Sequence, residues 1–284
     1  MKQILVPTDF SDNAWNAIVY ALTLFKEEEC VFHFLHTYTP AFYRVDYVMG
    51  GPEFSAIPDS GVERSLVGLE KTLERIKKLH PNVKHRYNTL SSFNTLTDEI
   101  NEVTRERNIE LIVMGTQGAT GAKEIFLGTN TVHTLRKAKI PVLVIPNKYG
   151  YTPIDSILFP TDYWSDYKME ELGFLLDFTK SMEAELIVFH VNEEDDLTQA
   201  QQTNKKLLAD KIKDIKHRFV LDRNRLMPTA VYEHLEESNA GLLAMMNRKH
   251  SFFERLLIRQ NVEVFGFHVE VPFLVIPDTA DINK

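Results

Sequence analysis

Cysteine is almost missing from this 284-residue chain, where Cys30 stands alone. No disulfide can form within one copy, and a reducing, cytoplasmic home is expected. Long hydrophobic runs are missing too: none approaches the ~18 residues a membrane helix needs. With the strand-like opening Met1–Pro7, no targeting segment is expected. Surplus positive charge is also lacking. The net charge of −8 disfavours nucleic acid and anionic lipid as bulk partners. Several signatures are missing as well. The glycine-rich stretch holds neither G-x-x-x-x-G-K-[ST] nor G-x-G-x-x-G, and no H-E-x-x-H occurs. There is no G-x-S-x-G elbow and no kinase set.

Apolar residues make up 44% of the chain and charged ones 25%, a globular profile. The length suits one large domain or two ordinary ones. The most informative stretch is Leu111 to Asn130. It opens as an apolar run, Leu111 to Met114, and breaks into Gly115, Gly118 and Gly128, with Thr129 following directly. Glycine allows close backbone approach and positive φ. A helix starting near Thr129 would add unpaired N–H groups and partial positive charge. The stretch is therefore a candidate phosphate cradle; its plain alternative is a glycine-rich β–α loop without a ligand.

The rest of the chain alternates strands and helices. Ile4–Val6 is a short apolar run ended by Pro7-Thr8-Asp9, with Ser11 or Asp12 as a cap for a helix through Phe25. Val31–Thr37 is the second strand. Tyr38–Gly61 loses all pattern and reads as a lid, a contact loop or an insertion. A helix over Leu66–Leu79 follows, then a strand over Val83–Leu90. Next comes a shorter helix through Leu96, Ile100 and Val103, with Thr97 as its expected cap. Ile140–Ile145 is a fifth strand with proline near both ends, suited to an edge.

Then the pattern repeats. Ile4–Ser11 returns as Ile157–Ser165, Phe34–Thr37 as Val188–Val191, Lys84–Tyr87 as Lys216–Phe219, and Pro141–Pro146 as Pro272–Pro277. Four matches in one order indicate a duplication. The expected layout is one domain over 1–147, a linker over 148–152 and a second domain over 153–284. His36 meets His190 at an offset of 154 and Pro146 meets Pro277 at 131, so the second copy is 23 residues shorter. At the latter offset Gly115, Gly118, Gly128 and Thr129 become Met246, Lys249, Arg259 and Gln260. The second copy should not hold a phosphate chain in the same way. Its Arg248, Lys249 and Arg259 are either surface charges or a site for another anion. His36, His190, His85 and His217 read as packed or capping residues rather than metal ligands.

Val6–Ser11, Phe34–Thr37, Met114–Gly118, Gly128–Asn130 and Pro141–Pro146 together resemble the universal stress protein family, as a tandem pair. The resemblance implies an α/β fold of two five-stranded parallel sheets, Rossmann-like and similar to adenine nucleotide alpha hydrolases. It also implies that the fifth strands pair within one chain as a pseudo-dimer. It further implies that the first domain binds ATP or a related adenine nucleotide. Pro7, Thr8 and Asp9 would meet the nucleotide, with Asp9 also within reach of a nucleotide-bound Mg²⁺. Backbone at Thr37 would bond adenine, and Met114 would pack on the base. Gly115, Thr116, Gln117, Gly118, Gly128, Thr129 and Asn130 would line the phosphates. Asp9 has a structural alternative as a turn carboxylate, because Asp162 keeps the same turn where the glycines are gone. No catalytic set is identified. The expected role is regulatory, with a nucleotide-free interaction module or a slow ATPase as alternatives. No protein partner can be named.

Overall fold

In the computed structural model, residues 1–38, 60–116, 127–192, 196–223, 226–248, 253 and 271–278 are described. They fall into two compact units, one reaching Gly150 and the other starting at Tyr151. The first holds strands β1 (Lys2–Pro7), β2 (Cys30–Tyr38), β3 (His85–Phe93), β4 (Leu111–Gly115) and β5 (Val142–Ile145). Its helices are α1 (Asp12–Leu24), α2 (Ser60–Leu79), α3 (Leu96–Arg107) and α4 (Thr129–Lys137). The second holds β6 (Ser156–Pro160), β7 (Glu185–Asn192), β8 (His217–Arg223), β9 (Leu242–Asn247) and β10 (Phe273–Pro277). Its helices are α5 (Met169–Ser181), α6 (Gln199–Lys211) and α7 (Met227–Ser238).

Strand order is β3-β2-β1-β4-β5 in the first unit and β8-β7-β6-β9-β10 in the second. The strand pairings within each unit are parallel. The duplication read from sequence is thus one topology used twice. Central strands are apolar throughout because helices cover both faces; Ile4, Leu5 and Val6 are all fully buried, as are Ile157, Leu158 and Phe159. The outermost strands β3 and β8 are half-buried or exposed at nearly every position, His85 being the one buried residue among them. On α1, Ala14, Ala17, Ile18 and Ala21 turn inward, and the small alanines let the helix lie close to the sheet.

Some boundaries differ from expectation. β3 runs over His85–Phe93 rather than starting at Val83, because Asn82 and Lys84 are tied into a turn first. α2 begins at Ser60, six residues before its first expected apolar contact. Thr97 does not cap α3. Thr95 does, accepting from the Asp98 N–H at 3.3 Å, while Thr97 is buried within the helix. Ser11 is confirmed as the cap of α1, accepting from the Ala14 N–H. Most of the Tyr38–Gly61 segment, residues 39–59, lies outside the described residues. Among the described residues no helix is long and apolar enough to cross a membrane.

Cys30 is fully buried at the start of β2. Burial, helped by Glu28, pushes its thiol pKa up to about 11. A thiolate is the reactive form. In native protein Cys30 should therefore resist alkylation for hours and label only as the first unit unfolds. Mass spectrometry across a urea series checks this. Rapid labelling without denaturant would refute it.

Candidate functional site

The order reversal in the first unit falls between β1 and β4, which neighbour each other while their crossovers lead opposite ways. Ligands in open α/β sheets bind beyond the carboxyl ends of strands at such a point. A cleft of about 230 Å³ lies there. Pro7, Thr8 and Asp9 border it from β1, and His36 and Thr37 from β2. Met114 and Gly115 border it from β4, and Gly128, Thr129 and Asn130 from the start of α4. Nine of the twelve residues proposed from sequence are thus brought together; Thr116 does not border the cleft and is buried. Gln117 and Gly118 lie outside the described residues.

The turn after β1 is held by its own side chains. Thr8 Oγ1 accepts from the Phe10 N–H at 3.1 Å. Asp9 Oδ1 accepts from the Ser11 N–H at 3.1 Å and the Ser11 hydroxyl at 2.6 Å. Phe10 has φ 65° and stacks on the His36 ring at 4.5 Å. The second unit repeats the device. Thr161 Oγ1 accepts from Tyr163 N–H, Asp162 Oδ1 accepts from Trp164 N–H, and Tyr163 has φ 57° and faces His190 at 4.9 Å. The turn therefore has a structural job in both copies, as its persistence in sequence suggested. Asp9 is exposed at the cleft. It is one carboxylate, a hard oxygen ligand. Among the described residues no group of three or more His, Cys, Asp or Glu could hold a resident metal.

The end of β2 offers backbone. Thr8 N–H donates to Leu35 C=O, and β1 pairs with β2 no further than Pro7. Along a parallel strand, successive residues turn their N–H and C=O to alternate neighbours. Thr37, two beyond Leu35, therefore aims both groups at the side β1 has vacated. The His36 ring pairs through Nδ1 with Ser65 Oγ at 2.9 Å, and Ser65 with Ser91 Oγ at 2.7 Å. Burial holds the His36 pKa below the usual imidazole value, opposed by Asp9. His190 is also pushed down by burial, against its bond to the Thr161 carbonyl. Both are packed histidines, as expected.

The glycine stretch has a closed neck. Thr116 C=O accepts the Gly128 N–H at 2.7 Å, and Thr131 Oγ1 donates to Gly115 C=O at 3.1 Å. The Gly128 N–H is thereby used inside the protein. Gly128 is the N-cap of α4 and supplies no side-chain cap. The first intrahelical bond at this end runs from Val132 N–H to Gly128 C=O. Thr129, Asn130 and Thr131 thus present the N–H groups that a helix start leaves over. Thr131 was not among the residues expected here; the run of three hydroxyl and amide side chains at 129–131 was its signal.

The second unit fills the equivalent place. Met246, buried, stands where Gly115 stands. Arg248 was expected to be a surface charge or an anion site. It is neither. Its side chain is 12% exposed, and its Nη2 donates to the fully buried Glu171 carboxylate. Its Nε lies 3.7 Å from Asp278, and its guanidinium covers the Tyr167 ring at 4.8 Å. The guanidinium is already surrounded by acceptors. Lys249, Arg259 and Gln260 lie outside the described residues.

Comparison with known proteins agrees with this architecture. A model described as the universal stress protein family matches residues 1–146. Two universal stress proteins of Methanocaldococcus jannaschii are similar to about half of the chain. One is 28% identical over 149 residues, 51% of this chain and 81% of the relative. The other is 29% identical over 162 residues, 52% of this chain and 96% of the relative. A solved universal stress protein from Archaeoglobus fulgidus DSM 4304 covers 96% of this chain and 97% of its own, with a TM-score of 0.59 and 19% identity. That likeness shows the fold across both halves, while the family match rests on the first. The chain belongs to the universal stress protein family.

Proposed function

We propose that the first unit binds an adenine nucleotide, ATP or a relative, and that binding is regulatory. One observation carries the reading: α4 starts over the cleft on a glycine that cannot cap it. The leftover N–H groups and the helix dipole favour an anion there. Thr37 supports the other end, since a donor and an acceptor side by side suit the edge of an adenine. Met114 gives the base an apolar wall. Asp9 would meet a nucleotide-borne Mg²⁺. The role in this reading is sensing rather than metabolism, in the cytoplasm.

Titration calorimetry with Mg-ATP tests the reading. Heat with one site per chain is expected, together with a rise in melting temperature, because a ligand that binds only the folded form stabilises it. Asn130→Asp sharpens the test. A carboxylate in the first turn of α4 should stabilise the helix by about 0.3–1 kcal/mol, yet weaken Mg-ATP by about tenfold or more through repulsion. Stability and affinity should thus move in opposite directions. No heat and no melting shift at millimolar Mg-ATP would sink the proposal.

A further inference from the structure

Asn13 lies in the first turn of α1, only 7% exposed. Its Nδ2 is 3.4 Å from Thr116 Oγ1. Its Oδ1 is buried without a hydrogen-bond partner among the described residues. That oxygen occupies the space a side chain on Gly115 would need: a Cβ there would lie 1.8 Å away. The amide is therefore pressed against the Gly115 main chain, beside Thr116. Thr116 is the neck of the glycine stretch, accepting from Gly128 N–H at 2.7 Å and Thr131 Oγ1 at 3.4 Å.

The second unit lacks both halves of this contact. Met246 replaces the glycine, and the buried polar residue in the first turn of α5 is Glu171, paired with Arg248. The glycine and the asparagine are present together or absent together. A buried, unpartnered amide oxygen is unfavourable for folding, so stability is a poor account of Asn13.

We propose that Asn13 is a positioning residue for the site of the first unit. Through Gly115 and Thr116 it sets the neck from which α4 presents its N–H groups. The inference rests on the nucleotide reading and deepens it: Gly115 is bare to admit the Asn13 amide, not the ligand alone. It also names a residue that acts through others, without touching the nucleotide itself.

The test compares Asn13→Ala, Asn13→Ser, Gly115→Ala and the double variant Asn13→Ala/Gly115→Ala with the wild type. Melting temperature, hydrogen exchange at the Gly128 amide and Mg-ATP affinity are measured for each. Asn13→Ala and Asn13→Ser should melt close to wild type, exchange Gly128 about tenfold faster and bind Mg-ATP about tenfold more weakly. Gly115→Ala should melt lower, because its methyl meets the amide. The double variant should recover the melting temperature but not the affinity. Wild-type exchange and wild-type affinity in Asn13→Ala would overturn the proposal. If the wild type binds no Mg-ATP, the nucleotide reading fails. Gly128 exchange then decides alone: faster exchange in Asn13→Ala upholds its hold on the neck, and unchanged exchange removes it.

Discussion

Alanine at Glu171 is expected to destabilise the second unit by about 3–5 kcal/mol, the usual cost of stripping one partner from a buried ion pair. Glu171 Oε2 accepts from the Lys168 N–H at 3.1 Å and from Arg248. With the carboxylate gone, the Arg248 charge keeps the Asp166 carbonyl at 3.2 Å, Asp278 at 3.7 Å and the Tyr167 ring. The helix start also loses the acceptor that ties its first turn. Urea unfolding followed by Trp164 fluorescence, in a Trp15→Phe background, reads this unit by itself. A control separates charge from packing. Glu171→Leu with Arg248→Met replaces both charges by apolar groups of similar size, and such replacements are often near neutral. The double variant should therefore regain most of what the single one loses. A loss below about 1 kcal/mol in Glu171→Ala, at the level of an exposed pair, would mean that water reaches the pair.

Methionine at Gly115, the residue the second unit carries at this place, should weaken Mg-ATP more than about 100-fold, or roughly 2.7 kcal/mol. Its Cβ alone would lie 1.8 Å from Asn13 Oδ1, so the amide must leave, and the remaining side chain then enters the cleft. Overpacking of this kind costs about 1–3 kcal/mol of stability. That is small enough for the unit to stay folded, and protection of Cys30 from alkylation reports whether it does. Calorimetry on the folded variant gives the affinity. Binding within a few-fold of wild type would show that the ligand does not depend on bare main chain at this position. The equivalent graft in the other direction, glycine at Met246, should not create a site. The buried pair of Glu171 with Arg248, which stands two residues further along the chain from Met246, would remain.

Much of the fold was legible in the amino-acid order because its signals are local. Apolar runs such as Ile4–Val6 and Leu111–Met114 are buried on both faces, as parallel strands between helices must be. The edge strand β3 starts two residues later than its apolar pattern indicates, since a half-exposed strand carries a weaker pattern. Thr95 rather than Thr97 caps α3: two threonines two positions apart compete, and the bond to Asp98 decides.

By itself the sequence determined that there are two copies of one α/β unit and that only the first copy keeps its glycines. Those follow from spacing and residue type within a few positions. Tertiary structure alone decided what the glycines and charges meet. Asn13 reaches Thr116 across 103 positions, and Arg248 reaches Glu171 across 77. Whether Gly115 borders a ligand or a neighbouring amide, and whether Arg248 faces water or a carboxylate, depends on how α1 and α5 lie against their strands. No periodicity along the chain encodes that distance.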